Sequence, residues 1–214
     1  MNFLAHYFFD KTESVYHNVG LVLPDLNRNF CKGNLQLNTT FEKQILNDIQ
    51  QGCIKHIAKD KIFHQSNFFK ETQKQISQLI DHQSRWPRKW FLNHILVEIM
   101  LDRALMDQYP LLCQQFYNDL ELAEIIHLEE FLKHSGIEDY QEFGHKYVKF
   151  NEYKFIFNYL HNEKLIIALS KIYQKVGIKY EWSAADENIL NRNFIEILQI
   201  VDNKMPELIN EIEN

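Results

Sequence analysis

Two stretches of this chain repeat one device: His56, Asp60 and His64 fall four residues apart, and so do His94, Glu98 and Asp102. On an α-helix residues at that spacing lie one turn apart on the same face. Each stretch would therefore present imidazole and carboxylate groups in a row. Those are donors that divalent ions take from proteins, and two such rows face to face would make a mixed nitrogen–oxygen pocket for one or two ions. His94 and Glu98 sit within WFLNHILVEIMLDRAL, among mostly apolar neighbours. A carboxylate buried on such a face must be paired, protonated or metal-bound, because an uncompensated buried charge is costly. Asp25 in GLVLPDL and His6 in NFLAHYFF stand in similar settings.

The set expected to converge as metal ligands is His6, Asp25, His56, Asp60, His64, His94 and Glu98. Asp60, Asp102 and Arg103 are the candidate catalytic groups, Asp102 to orient a ligand histidine or take a proton and Arg103 to meet an anionic group. Arg85, Arg88 and Lys89, around Pro87, could serve the same anion, or form a solvated basic loop. A purely structural reading competes throughout, in which His64–Asp60 and His94–Glu98 are hydrogen-bonded pairs that stiffen two helices. His17, His82, His127, His134, His145 and His161 lack such company and default to surface or capping roles. No Gly-rich phosphate loop, G-x-S-x-G elbow or Cys–His signature is present.

Helices must position these groups. Gly (6) and Pro (4) are scarce over 214 residues, which disfavours hairpins and favours helices joined by short loops. Two helical segments are expected before Asn29, the second capped by Ser14. Thr40 offers an N-cap for a long amphipathic run opening at Phe41, and helical period continues over Asn67–Ile80. A strong helix is expected from Lys89 to Met106, followed by shorter ones over Leu111–Asn118, Glu121–Lys133 and Glu152–Leu160. Glu163–Val176 should stop at Gly177, Ser183 should cap the last long helix, and Pro206 should start a final short one. The expectation is an all-α, single-domain multi-helix bundle over residues 1–214.

Composition sets the remaining bounds. With 45% hydrophobic and 24% charged residues the chain is an ordinary globular one, able to bury a core without staples. A formal charge of −6 does not recommend a nucleic-acid partner. Cys31, Cys53 and Cys113 are widely spaced and odd in number, which gives no disulfide framework and points to a reducing, cytoplasmic setting. The stretch MNFLAHYFFD lacks a basic n-region and is too short to span a bilayer, so it reads as a buried first helix, and no membrane span is expected.

Four blocks carry a resemblance. Met1-Asn2-Phe3-Leu4-Ala5-His6 resembles the opening of the acyl carrier protein phosphodiesterase family, which is related to HD-type metal phosphohydrolases. Gly20-Leu21-Val22-Leu23-Pro24-Asp25, with Gly33, resembles that family's G-x-L-L-x-D-F-x-x-G. Gly52-Cys53-Ile54-Lys55-His56, with Asp60, resembles its G-I-x-x-H-R-x-I-D, and His94-Ile95-Leu96-Val97-Glu98, with Leu101 and Arg103, resembles its D-x-x-x-D-H-F-L-x-R. The blocks span about residues 1–105, and Asn158-Tyr159-Leu160 extends the match weakly. The resemblance implies an HD-phosphohydrolase-like all-α fold and hydrolysis dependent on a divalent metal, typically Mn²⁺. It implies holo acyl carrier protein as the substrate partner, with 4′-phosphopantetheine released from a serine, and so a place in fatty acid biosynthesis.

By position, His6, Asp25, His56 and Asp60 match motif residues, while His94 and Glu98 replace the family's two aspartates. The Arg after the family's histidine is Ile57 here, its T-D is Phe63-His64, and the His after its second aspartate is Ile99. These changes alter the nitrogen–oxygen balance of the ligand set, which bears on the substrate more than on the metal. Two other functions suit the same residues: a catalytically silent helical binding module that keeps its polar pairs as structure, and a di-iron oxygen-activating site, since iron also takes helix-borne His and carboxylate.

Overall fold

In the computed structural model residues 1–83 and 86–213 are described, and among them every regular element is a helix. The all-α expectation holds. In chain order these are α1 (Phe3–Asp10), α2 (Val15–Gly20), α3 (Leu23–Phe30), α4 (Gln44–Gln65), α5 (Asn67–Ile80) and α6 (Lys89–Gln108). There follow α7 (Leu112–Leu122), α8 (Ile125–His134), α9 (Tyr140–Tyr153), α10 (Asn162–Lys175) and α11 (Ala184–Glu213), with 3₁₀ turns at Asp81–Gln83 and Phe155–Leu160. No helix among the described residues is long and apolar enough to cross a membrane.

Side-chain caps set several starts. Ser14 Oγ accepts from the His17 amide at 3.3 Å, Ser66 Oγ from Phe69 at 3.0 Å and Ser183 Oγ from Asp186 at 3.2 Å. Each satisfies one of the amides that a helix start leaves without an intrahelical acceptor. Gly177 ends α10 at φ 74°, a left-handed conformation that costs glycine little.

The chain divides into two compact units. The first takes Met1, Phe3–Lys61 and Pro110–Phe155; the second takes Asn2, Ile62–Tyr109 and Ile156–Asn214. In the first, Phe3, Phe116, Tyr117, Phe131, Phe143 and Phe150 are buried and form much of an aromatic core. One carboxylate ties three of its helices together: Asp119 Oδ2 on α7 accepts from Tyr7 Oη on α1 at 2.8 Å and from Asn18 Nδ2 on α2 at 2.7 Å.

The second unit is built on α5, α6 and α11. Its apolar stripes recur at helical spacing, with Phe68, Phe69, Ile76 and Ile80 on α5 and Ile189, Leu190, Phe194, Ile197, Val201, Met205 and Leu208 on α11, all buried. Each such side chain contributes about 1.5–3 kcal/mol on removal from water.

Four expectations about elements are corrected. The region before Asn29 holds three helices rather than two, because Leu21 and Val22 form a turn and Pro24 starts a third. The long run starts at Gln44, not Phe41, since Asn47 Nδ2 donates to the Phe41 carbonyl at 2.9 Å and Phe41 packs its ring on Phe131. The stretch after Glu152 leaves the α-helix at Lys154, which sits at φ 43°, and the α-helix instead covers Tyr140–Tyr153, burying Phe143, Tyr147 and Phe150. Pro206 lies inside α11 rather than opening a new helix. Its missing N–H costs one backbone bond, but Val201, Met205, Leu208 and Ile212 around it are buried, and their packing keeps the helix in one piece.

Candidate metal-binding clusters

The first unit gathers His6, Asp25 and His56, whose ligand atoms lie within 4.8 Å of one another. What positions them starts at two glycines. A side chain on Gly52 would stand 2.2 Å from the His17 carbonyl oxygen and 2.7 Å from Gly20 Cα, so α2 and α4 cross with their backbones in contact. That approach brings the Leu21 carbonyl, which follows Gly20, to His56, which lies one turn after Gly52. His56 Nδ1 donates to Leu21 O at 2.7 Å.

The consequence is chemical. With Nδ1 committed to a carbonyl, the lone pair of the neutral ring sits on Nε2, the atom that lies 3.8 Å from Asp25 Oδ1. Burial pushes the His56 imidazolium pKa down, against the opposing pull of Asp25, so the ring stays neutral and able to donate to an ion. The His6 and His56 rings stack at 3.7 Å between centroids. Asp25 is in the first turn of α3 and has Arg28 at 3.4 Å.

Asp60 lies at the edge of this group. Its Oδ1 is 3.8 Å from His6 Nε2 and forms an ion pair with the Met1 ammonium at 2.5 Å. A donor set of two imidazoles and two carboxylates within one unit suits a divalent cation such as Mn²⁺ or Zn²⁺.

The second unit gathers His64, His94 and Glu98. His64 closes α4 and His94 and Glu98 stand one turn apart on α6. His64 Nε2 and His94 Nε2 are 3.2 Å apart, and each is 3.2 Å from Glu98 Oε1. The two rings are nearly parallel, and Phe69 sets an edge against both, with centroids at 4.9 Å from His64 and 5.0 Å from His94. Burial alone would raise the Glu98 carboxyl pKa; positive charge, and after it the hydrogen bonds from His64 and His94, hold it well below the usual range.

The structure thus groups six of the seven expected ligands into two clusters, with Asp60 beside the first. Asp102 is fully buried on α6, one turn past Glu98. Arg103 donates from Nη1 to Asn162 Oδ1 at 2.8 Å. Of the basic residues around Pro87, Lys89 is committed to the Asp81 carbonyl, Arg88 is exposed in a left-handed conformation, and Arg85 lies outside the described residues.

Two contributors gave no sequence signal of their role. The Leu21 carbonyl is backbone, and only the glycines at 20 and 52 hint that something must approach there. Phe69 belongs to the buried apolar stripe of α5, yet its ring also packs edge-on against two imidazoles. In comparisons with known proteins, no family model, no curated protein and no solved structure matches this chain.

Proposed function

We propose that this protein is a divalent-metal-dependent phosphodiester hydrolase, with Mn²⁺ held by His6, Asp25 and His56 and with Asp60 alongside. The observation that carries the reading is the orientation of His56. Its Nδ1 is tied to Leu21 O while its Nε2 faces Asp25 and its ring stacks on His6. A histidine built only for packing needs no such orientation toward a carboxylate, whereas a ligand histidine gains its tautomer and aim from it.

A divalent ion bound there supplies Lewis-acid polarisation of a phosphoryl oxygen and a water acidified toward neutral pH. The chain's own residues would then orient and exchange protons. Asp60, 36% exposed beside His6, would be the carboxylate to accept a proton. The ordered family-like blocks from Met1 to Arg103 support a holo acyl carrier protein substrate, cleaved at the phosphodiester of its 4′-phosphopantetheine.

The test is direct. Mn²⁺-loaded protein incubated with holo acyl carrier protein should lower the carrier's mass by one phosphopantetheine, and His56→Ala should slow this at least ~10-fold. Failure to cleave both the carrier protein and a bis-aryl phosphodiester would overturn the reading.

A further inference from the structure

His64, His94 and Glu98 pose a problem that protons cannot solve. The three atoms form a triangle with every edge at 3.2 Å. Each imidazole Nε2 can carry one proton at most, and the carboxylate oxygen only accepts. If both nitrogens are protonated, both protons point to Glu98 and the Nε2–Nε2 edge becomes a close contact between two donors. If only one is protonated, the other nitrogen turns a lone pair toward an anionic oxygen at 3.2 Å. With Glu98 ionised, no assignment of protons makes all three edges attractive.

A cation in front of the triangle does. Three lone pairs then converge on one positive centre, and each edge becomes the spacing between neighbouring ligands of one ion. With bonds of ~2.1 Å, ligand atoms stand ~3.4 Å apart around a four-coordinate ion and ~3.0 Å apart around a six-coordinate one. The observed 3.2 Å falls between these values. The donors are also pre-positioned. His94 and Glu98 are fixed one turn apart on α6, and Phe69 packs against both rings.

We propose that His64 Nε2, His94 Nε2 and Glu98 Oε1 are the three protein ligands of a first-row transition ion, Zn²⁺ by donor set, complete within the second unit. Two imidazoles and one carboxylate form a borderline set that favours such an ion over Mg²⁺ or Ca²⁺. His64, His94 and Glu98 retain 28%, 30% and 19% of their side-chain exposure, so the cluster is not sealed from solvent. That is the arrangement of a site that accepts an exchangeable ligand rather than one closed for structure. The proposal does not rest on the phosphodiesterase reading, since it requires neither that reaction nor any residue of the first unit.

Co²⁺, whose visible d–d absorption reports coordination number, is the probe, with bound Zn²⁺ counted by metal analysis after dialysis. The full chain should give an intense four- or five-coordinate Co²⁺ spectrum that stoichiometric Zn²⁺ abolishes. Glu98→Gln, which keeps the shape, and His64→Ala, at the half-exposed end of α4, should each lower Zn²⁺ affinity at least ~10-fold and remove that spectrum. The Zn²⁺-induced rise in melting temperature should shrink with it. Circular dichroism and the metal-free melt confirm folding; if one variant does not fold, the other carries the reading. Folded variants that keep the Zn²⁺ count and the Co²⁺ spectrum of the parent would overturn the proposal, as would a parent chain that binds no Zn²⁺.

Discussion

Gly20 and Gly52 meet backbone to backbone: a Cβ on Gly52 would lie 2.7 Å from Gly20 Cα, and one on Gly20 would lie 2.3 Å from the Ile49 carbonyl oxygen. Each glycine opens a block that ends in a candidate ligand, Asp25 in one case and His56 in the other. The crossing of α2 and α4 is therefore what sets the cluster's spacing.

Gly52→Ala tests that crossing. Alanine favours an isolated helix by up to about 1 kcal/mol, but here it must push two backbones apart, at a cost of about 1–3 kcal/mol or more. The expected net effect is destabilisation, read from the denaturant midpoint. The hydrogen bond from His56 to Leu21 O should weaken too, visible as a changed His56 Nδ1 resonance. A stabilised Gly52→Ala would show that the helices can separate freely.

Asp60→Ala should affect metal binding more than folding. Asp60 is 36% exposed and stands beside the His6–Asp25–His56 group. Removing it leaves those donors in place, so Mn²⁺ affinity by isothermal titration should fall by about 10-fold, while the melt of the metal-free protein shifts little. Unchanged affinity would make Asp60 a structural partner of Met1 and His6 alone.

Asp119 carries two donors on one oxygen, so the two ends of those bonds should respond differently. Tyr7→Phe removes one donor and should cost about 1 kcal/mol. Asp119→Ala strands both the Tyr7 hydroxyl and the Asn18 amide and should cost about 2–3 kcal/mol more. Equilibrium unfolding of the two variants measures the difference.

The start of α11 supplies a pH dependence. Burial would raise the Asp186 carboxyl pKa, but hydrogen bonds from the Ser183 hydroxyl and amide and from Tyr180 outweigh it and hold it below its ordinary 3.8. A folded-state value lower than the unfolded one means the unfolded chain binds the proton first as pH falls. The contribution is thus present above about pH 4 and is lost as pH drops through the folded value. Asp186→Asn should lower stability by about 1 kcal/mol at pH 7, and the gap to the parent should close at acidic pH.

Much of this was legible from residue order. Ser14 and Ser183 cap helices as their side chains suggest, Gly177 ends α10, and the four-residue spacing of His94 and Glu98 does put both on one face of α6. What was not legible is tertiary. Tyr140, Phe143, Tyr147 and Phe150 carry a helical period, yet Gly144 and the many aromatic residues, weaker helix formers, mask it until packing against α8 and α3 decides. Pro206 reads as a start signal because its local cost is visible in sequence and the packing that outweighs it is not. At the clusters, side-chain type and spacing identified donors. Which donors meet depends on backbone approach at Gly20 and Gly52 and on the edge-on packing of Phe69.

The division of the chain also dictates an order of assembly during synthesis. The first unit draws on Pro110–Phe155 as well as Phe3–Lys61, and the second on Ile156–Asn214 as well as Ile62–Tyr109. No nascent chain that stops before Phe155 holds a complete unit. α5 and α6, with their buried apolar stripes, leave the ribosome long before α11 exists to cover them. Those stripes are the surfaces on which a chaperone would be needed, and a stalled or truncated product would expose them.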